Sequence, residues 1–153
     1  SKLFSLPGIK EHLYDDIMAD RGIGVESSVR QLISSNNVYM LGTDPSKMVV
    51  SYVPISGVMY SLHIVLSPEF RGRESIESCL KTAKYMFDFT PCLTVLAFAR
   101  ETNRVSQVFA KMSGMKRIGK TTGSFLKDGR LIDEVIYQGT LEDYMEAVRW
   151  RQE

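Results

Sequence analysis

Long apolar runs are missing from this chain, and none approaches the ~20 residues that a transmembrane helix needs. No membrane span is therefore expected. The opening residues, SKLFSLPGIK, are too short and too polar to read as a signal peptide. Cysteine and histidine are scarce, with two of each in 153 residues. Scattered as His12, His63, Cys79 and Cys92, they do not supply the clustered ligands of a zinc site, and no metal is expected. Nor do two cysteines make a disulfide framework. They read as reduced, buried thiols, which suits a cytoplasmic protein. Neither sign of charge is in excess: Lys and Arg total 19, Asp and Glu 18, for a net +1. No global field marks nucleic acid or an anionic membrane surface as a partner. Repeats, low-complexity tracts and long linkers are also absent. What is present is an ordinary composition, 44% hydrophobic and 24% charged, and a length that suits one domain over 1–153.

The apolar pattern changes period along the chain. Residues 8–22 and 25–35 carry apolar side chains at helical spacing. The middle is strand-like. VYMLG (38–42), MVVSYV (48–53) and VMYSLHIVL (58–66) are separated by Asp-Pro and Ser-Gly turn signals. The third alternates, with Met59, Ser61, His63 and Val65 on one face and Tyr60, Leu62, Ile64 and Leu66 on the other. After Pro68, Ile76, Cys79, Leu80, Ala83, Met86 and Phe87 form the stripe of a core-facing helix. CLTVLAFA (92–99) is nearly continuous and reads as a strand buried on both faces. A helix from Asn103 to about Gly114 is expected to point Val105, Val108, Phe109 and Met112 inward. KRIGKTTGSFL and RLIDEVIYQ form a hairpin through Asp128-Gly129. The last helix opens on Thr140 and Asp143, a capping-box pattern, with Leu141, Tyr144, Met145 and Val148 on one face and Trp150 off it. The sum is an α+β fold. The strand–helix–strand unit around Gly72 predicts one parallel pair in an otherwise antiparallel sheet.

That order of elements, together with LSPEFRG, NRVSQVFAKMSGMKRIG and DGRLIDEVIY, resembles the GCN5-related N-acetyltransferase (GNAT) family over most of the chain. The resemblance implies a mixed, mostly antiparallel sheet with a splayed parallel strand pair and helices on both faces. It also implies acetyl-CoA as cofactor and an amine as acetyl acceptor. Backbone groups near Leu66 would then hold pantetheine, and the amides of Gly72, Arg73 and Ser75 the pyrophosphate, with Arg71 in the first place of the R/Q-x-x-G-x-G/A loop. Asn103 matches the family's helix-opening Asn, which commonly holds the pantetheine arm or its loop. Such a loop works because backbone N–H groups and a helix N-terminus face the phosphates while side chains stay clear.

Two positions depart from the family pattern. Glu74 stands where the first loop glycine belongs, adding bulk and a negative charge. Ala110 stands where the family's tyrosine, often the acid that reprotonates the leaving thiolate, would be. Glu74 and Glu77 also suit an ordinary first helical turn, whose dipole they complement. Asn103 likewise makes an ordinary N-cap. For the base that takes the ammonium proton, His63 is the first candidate on pKa grounds, with Glu101 and Tyr60 as alternatives. A strand histidine bonded to a neighbour is the bland alternative for His63. The stretch Lys111, Lys116, Arg117 and Lys120 reads as a solvated turn. Some bacteriophage internal virion and head-assembly proteins resemble GNAT domains in this degraded form. Two functions are therefore expected as alternatives. One is a weak acetyl-CoA-dependent N-acetyltransferase; the other is a non-catalytic part with protein partners in an assembly, located in the host cytoplasm or virion. Homo-oligomerisation fits either.

Overall fold

The computed structural model describes residues 38–42, 44 and 46–152. The two expected N-terminal helices, and His12 with them, lie outside the described residues. The elements are β1 (Tyr39–Leu41), β2 (Met48–Pro54), β3 (Met59–Leu66), α1 (Arg73–Phe89), β4 (Thr94–Arg100), α2 (Arg104–Met112), β5 (Lys116–Lys120), β6 (Phe125–Lys127), β7 (Arg130–Ile132), β8 (Glu134–Thr140) and α3 (Leu141–Gln152). Six strands form one sheet in the order β1-β2-β3-β4-β8-β5, and β6 and β7 pair separately. All pairings are antiparallel except β3 with β4. The α+β architecture with its single parallel pair is therefore as expected.

Alternation decides which sheet face is core. Tyr52 registers with Leu62 on β3, Leu62 with Ala97 on β4, and Ala97 with Tyr137 on β8. This row faces α1, whose buried residues include the expected Ile76, Cys79, Leu80 and Met86. The Tyr52 hydroxyl bonds to Thr82 Oγ1 on α1 at 2.8 Å, and Thr82 in turn donates to the Cys79 carbonyl. The polar end of a buried tyrosine is thereby satisfied inside the core. Each fully buried side chain of this size contributes about 2–3 kcal/mol. Cys79 and Cys92 are both free and buried, as expected.

Three expectations need correction. β4 buries Val95 and Ala99 on the helix side but leaves Phe98 on the other side 40% exposed, so the strand is covered on one face only. Its apolar run hid an alternation of small and large residues. The hairpin turns at Asp128-Gly129 as expected, yet its long arms are broken. β5 and β8 pair directly, while β6 and β7 form a separate flap. The break coincides with a register shift between Arg117 and Gly119 and with Asp133, whose carboxylate accepts from the Gly123 amide at 2.8 Å. Finally, α2 packs Phe109 against the core as expected and buries Ala110, with its C-cap Ser113, but leaves Val105, Val108 and Met112 exposed. Small residues let this short helix lie close against the core, and the bulky ones are displaced outward. On α3, Tyr144 packs against Phe87 at 5.7 Å while Leu141 and Met145 are exposed. The Thr140 and Asp143 capping box forms: the Thr140 amide donates to the carboxylate at 2.9 Å, and the Asp143 amide donates back to Thr140 Oγ1 at 3.2 Å.

Candidate functional site

The parallel pair holds over four register positions only, from Met59 with Thr94 to Leu62 with Ala97. Beyond them β3 runs on through His63–Leu66 and β4 through Phe98–Arg100, unpaired with one another. Each continues to pair on its outer side, β3 with β2 and β4 with β8. A wedge-shaped gap thus opens toward the C-terminal ends of both strands. The peptide groups of β3 that point into it have no strand partner, so an extended ligand can take the place of the missing strand.

Six residues separate the end of β3 from the start of α1. Its N-cap is Gly72, with φ 92° and ψ −148°, and no side chain caps the helix. Only glycine adopts that backbone readily. A Cβ placed on Gly72 would meet nothing within 4 Å. No side chain caps the first-turn amides, and Arg73 and Glu74 are exposed there, an arrangement that fits an anion such as a pyrophosphate. The side chains contribute less. Ser75 is fully buried and its hydroxyl donates to the Gly72 carbonyl at 2.7 Å, so it presents no surface to a ligand. Arg73 pairs with Glu77 at 2.8 Å. Arg71 is exposed and makes no ion pair among the described residues. Glu74 is exposed and already helical, so its position makes no demand for glycine. The charge of Glu74 is what remains of the departure from the family loop.

Leu66 closes β3 opposite Met48, at the edge of the gap. Asn103 is the N-cap of α2: Oδ1 accepts from the Ser106 amide at 3.1 Å. Its NH2 group has no partner among the described residues. Ala110 is 5% exposed within the core, and no hydroxyl stands in its place.

Of the three candidate bases, Tyr60 lies on the helix side, buried and edge-on to Tyr39, and burial raises its pKa. Glu101 sits in the turn after β4 and pairs with Lys120 at 3.6 Å. No described contact joins it to His63. His63 lies on the opposite sheet face, just past the last paired position of β3. Its Nε2 and the Ser61 hydroxyl are 2.9 Å apart. The ring reaches the surface, yet enough protein surrounds it that desolvation lowers its pKa, opposed by the charge of Glu134. At neutral pH the imidazole is thus largely uncharged and able to accept a proton.

Glu134 was not singled out from the sequence. It opens β8 in register with Arg100 and accepts from the Ser124 hydroxyl at 2.8 Å; desolvation lowers the pKa of both Arg100 and His63, and the charge of Glu134 partly offsets it. Strand alternation would have found it only once the β3-β4-β8 neighbourhood was known. The basic stretch proves largely occupied internally, with Lys116 on Asp143 at 2.9 Å and Lys120 on Asp133 at 3.1 Å. An apolar pocket lies elsewhere, under α1 and α3 between Phe87, Met115 and Tyr144.

Comparison with known proteins places this architecture. The profile of a family described as protein of unknown function (DUF2824) matches residues 19–150. The chain belongs to the DUF2824 family. No protein of curated function matches this DUF2824 chain by sequence. Among solved structures it is similar to a probable acetyltransferase, with a TM-score of 0.68 and 18% identity, covering 88% of this chain and 80% of the other. It is also similar to spermidine N-acetyltransferase from Vibrio cholerae in complex with CoA and spermine (TM-score 0.67, 15% identity, 79% and 76% covered). A third is the ribosomal-protein-S5-alanine acetyltransferase from Vibrio fischeri (TM-score 0.63, 15% identity, 76% and 69% covered). At these identities the likeness establishes a shared fold: this DUF2824 protein has the GNAT architecture. Among the described residues no helix is long and apolar enough to cross a membrane, and no cluster of metal-ligating side chains occurs.

Proposed function

We propose that the protein binds acyl-CoA in the gap between β3 and β4 and transfers its acyl group slowly to an amine. One observation carries the reading: the unpaired His63–Leu66 edge of β3 leads directly to the uncapped, glycine-opened N-terminus of α1. Pantetheine would run along the β3 edge near Leu66, with the Asn103 amide at the far wall. The pyrophosphate would meet the amides of Arg73 and Glu74, with Arg71 as counter-charge. The cofactor would supply an activated thioester. His63 would take the proton from the acceptor ammonium, with Ser61 fixing the ring and Glu134 holding positive charge nearby. With Ala110 in place of a hydroxyl donor, the departing thiolate is reprotonated by solvent. The absence of a positioned acid costs roughly 10²–10⁴ in rate.

Calorimetric titration with acetyl-CoA tests the binding, and His63→Gln tests the base. The expected results are binding by the parent and, with a polyamine or peptide acceptor, a kcat/KM that rises with pH through an apparent pKa below the ordinary 6.5 of histidine. His63→Gln should remove that pH dependence while leaving CoA affinity unchanged. No binding by the parent overturns the proposal and leaves the second reading. That reading is a non-catalytic GNAT-fold component of an assembly, such as a phage virion, and is supported by the buried Ala110 and the charge of Glu74.

A further inference from the structure

Behind the closed end of the gap, on the helix side of the sheet, lies the apolar pocket under α1 and α3, with a volume of about 40 Å³. Leu62 belongs to both. It is the last β3 residue paired with β4, and it lines the pocket beside Val95. Leu80, Ala83 and Phe87 of α1 face them, and Phe87 and Tyr144, with rings 5.7 Å apart, line the pocket together. Ala97 stands in register with Leu62 and packs against the same core. Its single methyl is the smallest side chain in the row Tyr52, Leu62, Ala97 and Tyr137, so the way from gap to pocket is least obstructed there.

The lining selects its occupant. Its polar groups on Tyr52, Ser113, Thr140 and Asp143 are already engaged. Tyr52 bonds to Thr82 at 2.8 Å, Ser113 donates to the Phe109 carbonyl at 2.8 Å, and the Thr140 hydroxyl donates to Asp143 at 3.0 Å. Asp143 also holds Lys116 at 2.9 Å. A polar ligand would give up its water and find no partner, so the pocket suits hydrocarbon. Size sets a limit: an apolar cavity of about 150 Å³ admits benzene, so one of about 40 Å³ has room for about one or two carbons. We propose that this pocket receives the tail of a short acyl chain, making propionyl- and butyryl-CoA tighter ligands than acetyl-CoA. The inference rests on the acyl-CoA reading of the gap and adds the acyl class to it. The thioester would sit at the closed end of the gap, and the tail would turn past Ala97 toward α1. The acceptor amine would approach from the opposite sheet face, where His63 lies, so a longer tail leaves the base unobstructed.

Calorimetric titration of the full chain with acetyl-, propionyl-, butyryl- and octanoyl-CoA tests the inference. A buried methylene is worth about 0.8 kcal/mol, so affinity should rise about fourfold from acetyl- to propionyl-CoA and about fifteenfold to butyryl-CoA. Octanoyl-CoA should bind no more tightly than butyryl-CoA, because its further carbons exceed the space. Ala83→Leu fills the pocket and should bring the butyryl-to-acetyl affinity ratio to within about twofold of unity. Phe87→Leu enlarges it and should raise the octanoyl-to-acetyl ratio. Circular dichroism checks that both variants are folded. Binding of acetyl-CoA with no gain through butyryl-CoA overturns this inference and leaves the acyl-CoA reading standing. So does an affinity that climbs steadily to octanoyl-CoA, as a chain lying on an open surface would give, or a set of ratios that neither folded variant moves. Binding of none of the four overturns both.

Discussion

Replacing Glu74 with Gln removes a charge and little else. The residue is exposed and stands second in α1, so its backbone is helical and its neighbours are solvent. Gly would be the family's residue, but in a helix it costs about 0.8–1 kcal/mol of stability that Gln does not. A phosphate at the first-turn amides would lie about 6 Å from the carboxylate. At an effective dielectric of about 50, suited to an exposed side chain, the repulsion is about 1 kcal/mol. Glu74→Gln should therefore tighten acetyl-CoA binding about sixfold, and Glu74→Lys further still. Calorimetry in low salt reads both. Salt should shrink the difference, because the screening length falls from ~10 Å at 0.1 M to ~3 Å at 1 M. A Gln variant that binds within twofold of the parent, or a Lys variant no tighter than the Gln one, would place the phosphates elsewhere and refute the assignment of the α1 N-terminus.

Gly114→Ala should cost more than Gly72→Ala by urea denaturation. Both have positive φ, but a Cβ on Gly114 would sit 2.7 Å from the Ala147 Cβ, whereas one on Gly72 meets open space; the expected losses are about 3–4 and about 1–2 kcal/mol, and the reverse order would contradict the packing of α3. Asp143→Ala should lose about 1–2 kcal/mol with the capping box. The largest influence on Asp143, burial, raises its pKa, but the Thr140 and Lys116 bonds together outweigh it and hold it below its ordinary 3.8. The stabilisation is thus present above that value and lost as pH falls through the folded-state pKa, so parent and variant should converge in acid; a constant gap down to pH ~2 would refute the linkage. Burial pushes Cys79 up to about 12 and Cys92 to about 11, so native protein at pH ~8 should not react with a thiol reagent until denatured. Rapid labelling of either cysteine would contradict their packing.

What was legible in the sequence was what is local or strongly periodic. The stripe of α1 repeats over a 17-residue helix, and its buried set follows from spacing alone. Thr140 and Asp143 announce their cap because both halves of the motif lie within one turn. The parallel pair follows from chain reach, since a helix must intervene between β3 and β4. The face of α2 was not legible. In a nine-residue helix, hydrophobicity favours burying the valines, but the close approach of helix to sheet favours Ala110 and Ser113, and the packing prevailed. Glu134 escaped notice because its relation to His63 exists only across three strands. Glu74 reads from the sequence both as a misplaced loop residue and as a first-turn side chain; the helix start, one residue past Gly72, decides for the second. The motif spacing located the site, and the helix boundary decided what each residue in it can do.

The four-position seam between β3 and β4 has a mechanical consequence. It joins two three-stranded plates, β1-β2-β3 and β4-β8-β5, along a line only as long as Met59–Leu62. Beyond that line no strand pairing joins the plates, and α1, which connects β3 to β4, packs in the one core they share. With strands ~4.8 Å apart, a rotation at the seam displaces the outer strand of each plate several times farther than the inner one. Any change in the width of the gap would therefore be largest at β1 and β5, the two edges of the sheet.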